Sequence, residues 1–177
     1  MKAVQVVTDG NRRKGGMNDH EQKQCVHDIV NWFARNANLE IGGDNADELK
    51  SLEDDLELQL PAGLSTLLET QSGGIWFEES KLLTVKGIRD TTSTSSAHSN
   101  WNAAYIPFAS DTDGSLLIVD TKKGDAVSFF HEDGKGKKVS ASFSQFLEDF
   151  CNQLLSNRFS FVQGVGLVER SCTLKKK

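Results

Sequence analysis

Apolar residues recur at helical spacing through the first third of the chain. Val26, Ile29, Val30 and Phe33 fall at i, i+3, i+4 and i+7, which puts them on one face of a helix. Asn18, with Glu21 three positions later, supplies a capping-box start for it. Gly42 and Gly43 end that element or lie in the connection after it. A second helix is predicted from near Asn45, again with a glutamate, Glu48, three residues on. Leu49, Leu52 and Leu56 form its apolar stripe, while Glu53, Asp54, Asp55 and Glu57 face water. Pro61 suits the first turn of a third helix, where its missing N–H costs nothing. Leu64, Leu67 and Leu68 give that helix a buried face, Gly63 weakens it, and Gly73–Gly74 supply its stop.

Beyond Gly74 the pattern changes to strand-like runs. "KLLTV" and "YIPFA" are short and β-rich, and "SLLIV" is the unbroken apolar run of a strand covered on both faces. Pro107 marks its strand as an edge or as interrupted there. "AVSFFH" follows "DTKKGD", whose Lys123–Gly124 pair reads as a hairpin turn. Between the first two strands, "TTSTSSAHSN" reads as a polar loop over 91–99, with too little apolar surface to order itself well. In "SFSQFLEDFCNQLL", Ser142 and Gln145 cap a helix whose face is Phe143, Phe146, Leu147, Phe150 and Leu154. "FSFVQGVGLVE" closes the chain as a short strand or extended segment. Helices, then strands, then a helix predict a single α+β domain over residues 18–170, between a flexible tail at 1–17 and a basic tail at 171–177.

Charge narrows the function classes. The formal net charge of −5 argues against a nucleic-acid binder, and the basic clusters Arg12–Lys14 and Lys175–Lys177 read as solvated ends rather than targeting signals. No apolar run approaches a membrane span, and "MKAVQVVTDG" lacks the apolar stretch of a secretory signal. Cys25, Cys151 and Cys172 are odd in number and scattered, so neither a disulfide framework nor a zinc site is written. A reducing compartment follows, cytoplasm by default, with the nucleus open.

Candidate chemistry concentrates in "IPFASDTDGSLLIVD", where Asp111, Asp113 and Asp120 could cradle a metal or punctuate a turn. A calcium loop begun at Asp111 has its glycine two positions early, Ser115 at position 5 and Lys122 at position 12, so the turn reading prevails. The histidines His20, His27, His98 and His131 form no zinc-protease motif. Cys25 and His27 point to different sides of one helix, and no nucleophile elbow appears. "DGKGKK" departs from a phosphate loop in both spacing and final residue, and "GVG" lacks a third glycine, so loops are expected at both. Trp76, after a double glycine, and Trp101, after the Ser/Thr segment, either roof the core or anchor a partner. No cofactor or metal site is predicted.

The order of these pieces resembles the SUKH superfamily, which groups fungal cell-wall-assembly regulators with bacterial toxin-immunity proteins. "LKSLEDDLELQLPAGLSTLLETQSGG" is similar to that family's paired helices and glycine end, and "KLLTVKGI" to its following strand. "NWNAAYIPFASDTDGSLLIVD" looks like its signature segment, "ASFSQFLEDFCNQLL" like its closing helix, and "VNWFARNANLE" like the leading helix of eukaryotic members. The resemblance implies a mixed or antiparallel sheet flanked by helices and a non-enzymatic protein that binds other proteins.

Three readings follow. The first is a regulatory protein-binding scaffold, with a surface at Trp76, Trp101, Asp111 and Asp113. A second is an immunity protein neutralising a protein effector, for which the acidity would speed association with a basic site. Third stands a small metal-binding or hydrolytic protein using Asp111, Asp113, Asp120 and Asp125.

Overall fold

The computed structural model describes residues 17–40 and 42–170; the predicted tails apart from Met17, their basic clusters and Cys172 lie outside them. Its order is α1 (Asp19–Asn36), α2 (Ala46–Leu56), α3 (Ala62–Thr70), β1 (Trp76–Phe77), β2 (Ser80–Leu82), α4 (Val85–Ser95), β3 (Tyr105–Ser110), β4 (Leu116–Asp120), β5 (Ala126–His131), β6 (Gly134–Ser140), α5 (Phe143–Leu155), β7 (Phe159–Val162) and β8 (Gly166–Glu169). Strands β1 to β6 form one sheet in sequence order with every neighbouring pair antiparallel, and β7 and β8 form a separate hairpin. This is a single α+β domain, as the sequence predicts.

The caps hold as read. Asn18 closes a full capping box with Glu21, and the side chains of Asn45 and Ser142 accept from the amides of Glu48 and Gln145. Helix α1 packs on α3 and α5, and α5 covers β5 and β6. The largest core cluster is aromatic: Phe77 lies 5.7 Å from Phe108 and 4.9 Å from Phe150, and Phe108 lies 5.1 Å from Phe143. Each such ring contributes ~1.5–3 kcal/mol on burial. Between α1 and α5 the Cys25 thiol donates to the Leu147 carbonyl at 3.3 Å, and Cys151 to the Cys25 carbonyl at 3.8 Å. The contact with Cys151, reinforced by burial, pushes the Cys25 thiol up, so it stays protonated and packs as a small apolar group.

Strand β4 is buried along its whole length, as its unbroken apolar run predicts. Leu117 and Val119 face the helices, while Leu116 and Ile118 join Phe130 in a second cluster on the outer face. Pro107 interrupts rather than edges its strand: β3 is interior, and its register with β4 shifts between Pro107 and Ala109.

Four expectations change. Residues 85–95 are helix α4, not strand and loop, because Thr84 caps the Gly87 amide, Val85 and Ile88 are buried, and Arg89 pairs with Asp55 of α2 at 2.7 Å. Residues 96–104, also placed partly in the polar loop, are pinned as described below. Helix α3 stops at Thr70, ahead of the glycines, because Gln71 turns extended and its buried amide bonds Gly42 N and Gly73 O. Finally "DGKGKK" is not a loop: it enters edge strand β6, whose Lys135, Lys137 and Lys138 are the charges that keep an exposed edge from pairing.

Two glycines are explained by close approach. A Cβ on Gly63 would sit 2.6 Å from Gln22 Oε1 and 2.7 Å from Leu147 Cδ1, so its absence lets α3 meet α1 and α5. A Cβ on Gly43 would overlap the Glu69 carbonyl, whereas one on Gly42 would meet nothing within 4 Å. Gly43→Ala must therefore move backbone, and we expect it to cost about 2–4 kcal/mol. Gly42→Ala should stay within about 0.5 kcal/mol of wild type. Urea melts of the two variants check this, and equal losses would contradict the packing described.

Candidate functional site

Between α5 and the sheet lies a cleft of about 370 Å³. Phe77, Phe146, Phe150, Leu117 and Phe129 give it an apolar lining. Its polar wall comes from separate elements: Glu78 and Glu79 at the β1–β2 turn, Asp111 at the β3–β4 turn, and Asp149 on α5. Glu78 holds φ 60°, a left-handed backbone that is uncommon outside glycine and asparagine. Its carbonyl accepts from Leu167 N at 3.1 Å, which ties the C-terminal hairpin to this turn. Asp149 accepts from Gln145 Nε2 at 3.0 Å. Among the described residues no lysine or arginine pairs with any of these four carboxylates.

Edge strand β6 contributes Val139, which is 40% exposed, and Ser140, which is nine-tenths buried. The Ser140 hydroxyl has no hydrogen-bond partner among the described residues. An unpaired buried hydroxyl costs about 1–3 kcal/mol, and a bound polar group would remove that cost.

The sequence-predicted residues do not converge. Asp111 lines the cleft. Asp113 follows in the same turn, where Asp111 Oδ1 accepts from the amides of Asp113 and Ser115, each at 2.9 Å. This is an Asx-type turn feeding β4, the role expected of an aspartate there. Trp76 is half-buried on β1, 6.4 Å from Phe161, with Lys81 Nζ 5.6 Å from its ring centroid. Trp101 belongs to the outer face, with Phe130 at 5.0 Å and Tyr105 at 5.3 Å, where it covers Leu116 and Ile118.

The segment around Trp101 is clasped to the β5–β6 turn. His98 Nε2 donates to the Glu132 carbonyl at 2.5 Å and its Nδ1 accepts from Asn100 N at 3.1 Å, which fixes the tautomer. Asn100 Nδ2 reaches the Asp133 carbonyl at 3.1 Å.

The metal-or-hydrolase set also separates. Asp120 ends β4 opposite the Asp111 turn, ~13–16 Å along the strand, and its buried carboxylate pairs with Lys135 at 2.8 Å. Asp125 sits beyond it in a left-handed turn at φ 62°. Among the described residues no group of three or more His, Cys, Asp or Glu could hold a metal ion. Ser115 Oγ does meet His131 Nδ1 at 2.9 Å, but the contact is exposed and lies outside the cleft lining. The acidic stripe of α2 is in structural use: Glu53 caps Leu60 N at 2.8 Å, and Asp55 holds Arg89.

Sequence reasoning missed Glu78, Glu79, Ser140 and Asp149 as one site, since they lie far apart in the chain. The available signal was the phenylalanine stripe of α5 with an aspartate beside it.

The fold is a single α+β domain, and its cleft has an apolar lining and a carboxylate wall. The chain is a member of the SMI1 / KNR4 family (SUKH-1), whose match covers residues 45–149, more than half its length. Comparison with curated proteins finds no match. The match begins at the cap of α2 and ends at Asp149, so it includes every cleft-lining residue except Gln153 and Phe150. Domains of this family are generally non-catalytic and commonly bind protein partners. Among the described residues no helix is long and apolar enough to cross a membrane.

Asp125 gives a direct check on the local electrostatics. Burial raises its carboxyl above the ordinary 3.8. A folded-state value raised above the unfolded one means stability is fully present below the unfolded value and is lost as pH rises through the folded one. Asn in its place keeps the left-handed turn and removes the half-buried charge. Asp125→Asn should melt about 1–4 °C above wild type at neutral pH, with the difference closing near pH 3.5 or below. An equal or lower neutral-pH melting temperature would contradict it.

Proposed function

We propose that this chain is a non-enzymatic protein-binding module of regulatory-scaffold type, which seats its partner in the cleft between α5 and the sheet. The observation that carries the reading is the cleft itself: an apolar lining, wall carboxylates with no cationic partner among the described residues, and a buried hydroxyl without a partner. Family membership supports a protein as the occupant. Asp111 then serves both as turn former and as part of the binding wall, while Trp76 and Trp101 hold the surrounding surfaces in shape. Two buried free thiols suit a reducing compartment, cytoplasmic or nuclear.

The acidic wall also favours a second reading, an immunity protein whose partner is a basic effector. A purified partner that is toxic when expressed alone and harmless with this chain would select it over a regulatory role.

Val139→Arg places a charge in the cleft from an exposed edge position, so the fold should survive. Val165→Arg, on the exposed turn between β7 and β8, is the control. Affinity purification from the native host should recover a specific partner with wild type and Val165→Arg, and lose it, about tenfold or more, with Val139→Arg. A partner retained equally by all three would overturn the cleft as the binding site.

A further inference from the structure

The cleft is chemically lopsided, and its polarity specifies what can fill it. Four carboxylates from three separate elements meet at one cavity, and no described cation neutralises any of them. Glu78, Glu79 and Asp149 are exposed and Asp111 half-buried, and a cation brought beside several carboxylates is favoured more than beside an isolated acid. The apolar part is built from the rings of Phe77, Phe146 and Phe150 with Leu117 and Phe129. Its volume, about 370 Å³, lies at the small end of ligand pockets and suits a few side chains rather than a folded domain. Ser140 adds an independent requirement, because it lines the same cavity nine-tenths buried with its hydroxyl unpartnered.

We propose that the cleft recognises a basic–apolar segment of a partner protein: aliphatic or aromatic side chains against the phenylalanine lining, lysine or arginine against Glu78, Glu79, Asp111 and Asp149, and a backbone or side-chain polar group on Ser140 Oγ. This rests on the cleft being the binding site and names the chemistry of its occupant. Lysine and arginine suit the arrangement because their aliphatic stems pack on apolar surface while the charged head reaches the wall. An acidic or purely apolar segment fails for opposite reasons. The first meets like charge, and the second gives the carboxylates no cation and leaves the Ser140 hydroxyl unpartnered.

The test uses the full chain and a fluorescein-labelled peptide of about ten residues that alternates lysine with leucine and phenylalanine. Two controls replace every lysine, one with glutamate and the other with serine. Fluorescence anisotropy is followed at low salt and at about 0.5 M salt, where exposed charge pairs are largely screened. The basic peptide should bind and the glutamate peptide should not, with affinity falling at high salt. The triple variant Glu78→Gln, Glu79→Gln, Asp149→Asn should bind about tenfold more weakly. Ser140→Ala should melt at or above the wild-type temperature and bind more weakly, since it removes an unpaired hydroxyl in the free protein and a paired one in the complex.

Equal binding of all three peptides, or of wild type and the triple variant, would overturn the proposal. If no peptide binds, yet Val139→Arg still loses the native partner, the cleft remains the site and the basic–apolar occupant is wrong. Should Val139→Arg keep the partner as well, both readings fall. Binding that appears only after residues 171–177 are deleted would make this chain's own lysine-rich end the occupant and so overturn an external partner.

Discussion

Burial of β4 on both faces is the constraint from which the rest of the molecule follows. Leu116 to Val119 are apolar in an unbroken row, so alternation sends two of them to each side of the sheet. One side needs the helical layer, and α1, α3 and α5 supply it through a core of interlocking phenylalanines. The other side needs a cover too, and no described helix supplies a residue to the cluster there. Trp101 and Tyr105 close it instead, held by the His98 and Asn100 bonds to the β5–β6 turn. An antiparallel sheet usually leaves one face to water; here a clasped segment removes that option along the central strand.

The two covers divide the surface into a closed side and a side that carries the proposed binding cleft. The outer side spends its aromatic residues on closing a small cluster. Opposite, α5 lies across β5 and β6 and leaves the cleft at Phe146 and Phe150. The acidic residues divide in the same way. Asp120, Glu53 and Asp55 are held by Lys135, Leu60 N and Arg89, whereas Glu78, Glu79 and Asp149 have no cationic partner among the described residues. Net acidity alone would have treated these as one population. A cationic partner separates Asp55 and Asp120 from the cleft carboxylates, although Asp111 and Asp149 keep hydrogen bonds within the fold.

Much of the fold was legible in the sequence because it depends on local signals. Asn18–Glu21, Asn45–Glu48 and Ser142–Gln145 mark three helix starts, and the run through β4 announces a doubly covered strand. Helix α4 was hidden because its Ser/Thr composition reads as loop, and the features that fold it are tertiary: burial of Val85 and Ile88 and the Arg89–Asp55 pair. Edge strand β6 was hidden by glycine and lysine, residues that disfavour strands yet suit an exposed edge. The cleft was least legible. Of its wall only Asp111 was singled out beforehand, as a turn former and as part of a candidate interaction surface, because spacing along a chain cannot show that residues 78, 111, 140 and 149 share a wall. Family resemblance carried the fold class and the binding role, but not the location of the site.

The central claim is that the partner is held on the α5 side of the sheet and not on the Trp101 side. Hydrogen–deuterium exchange on the complex with the partner purified from the native host measures this directly. New protection is expected at residues 77–80, 111, 139–140 and 146–153, with the 96–104 segment unchanged. Protection centred on 96–104 or on α2, with the cleft exchanging as in the free protein, would contradict it.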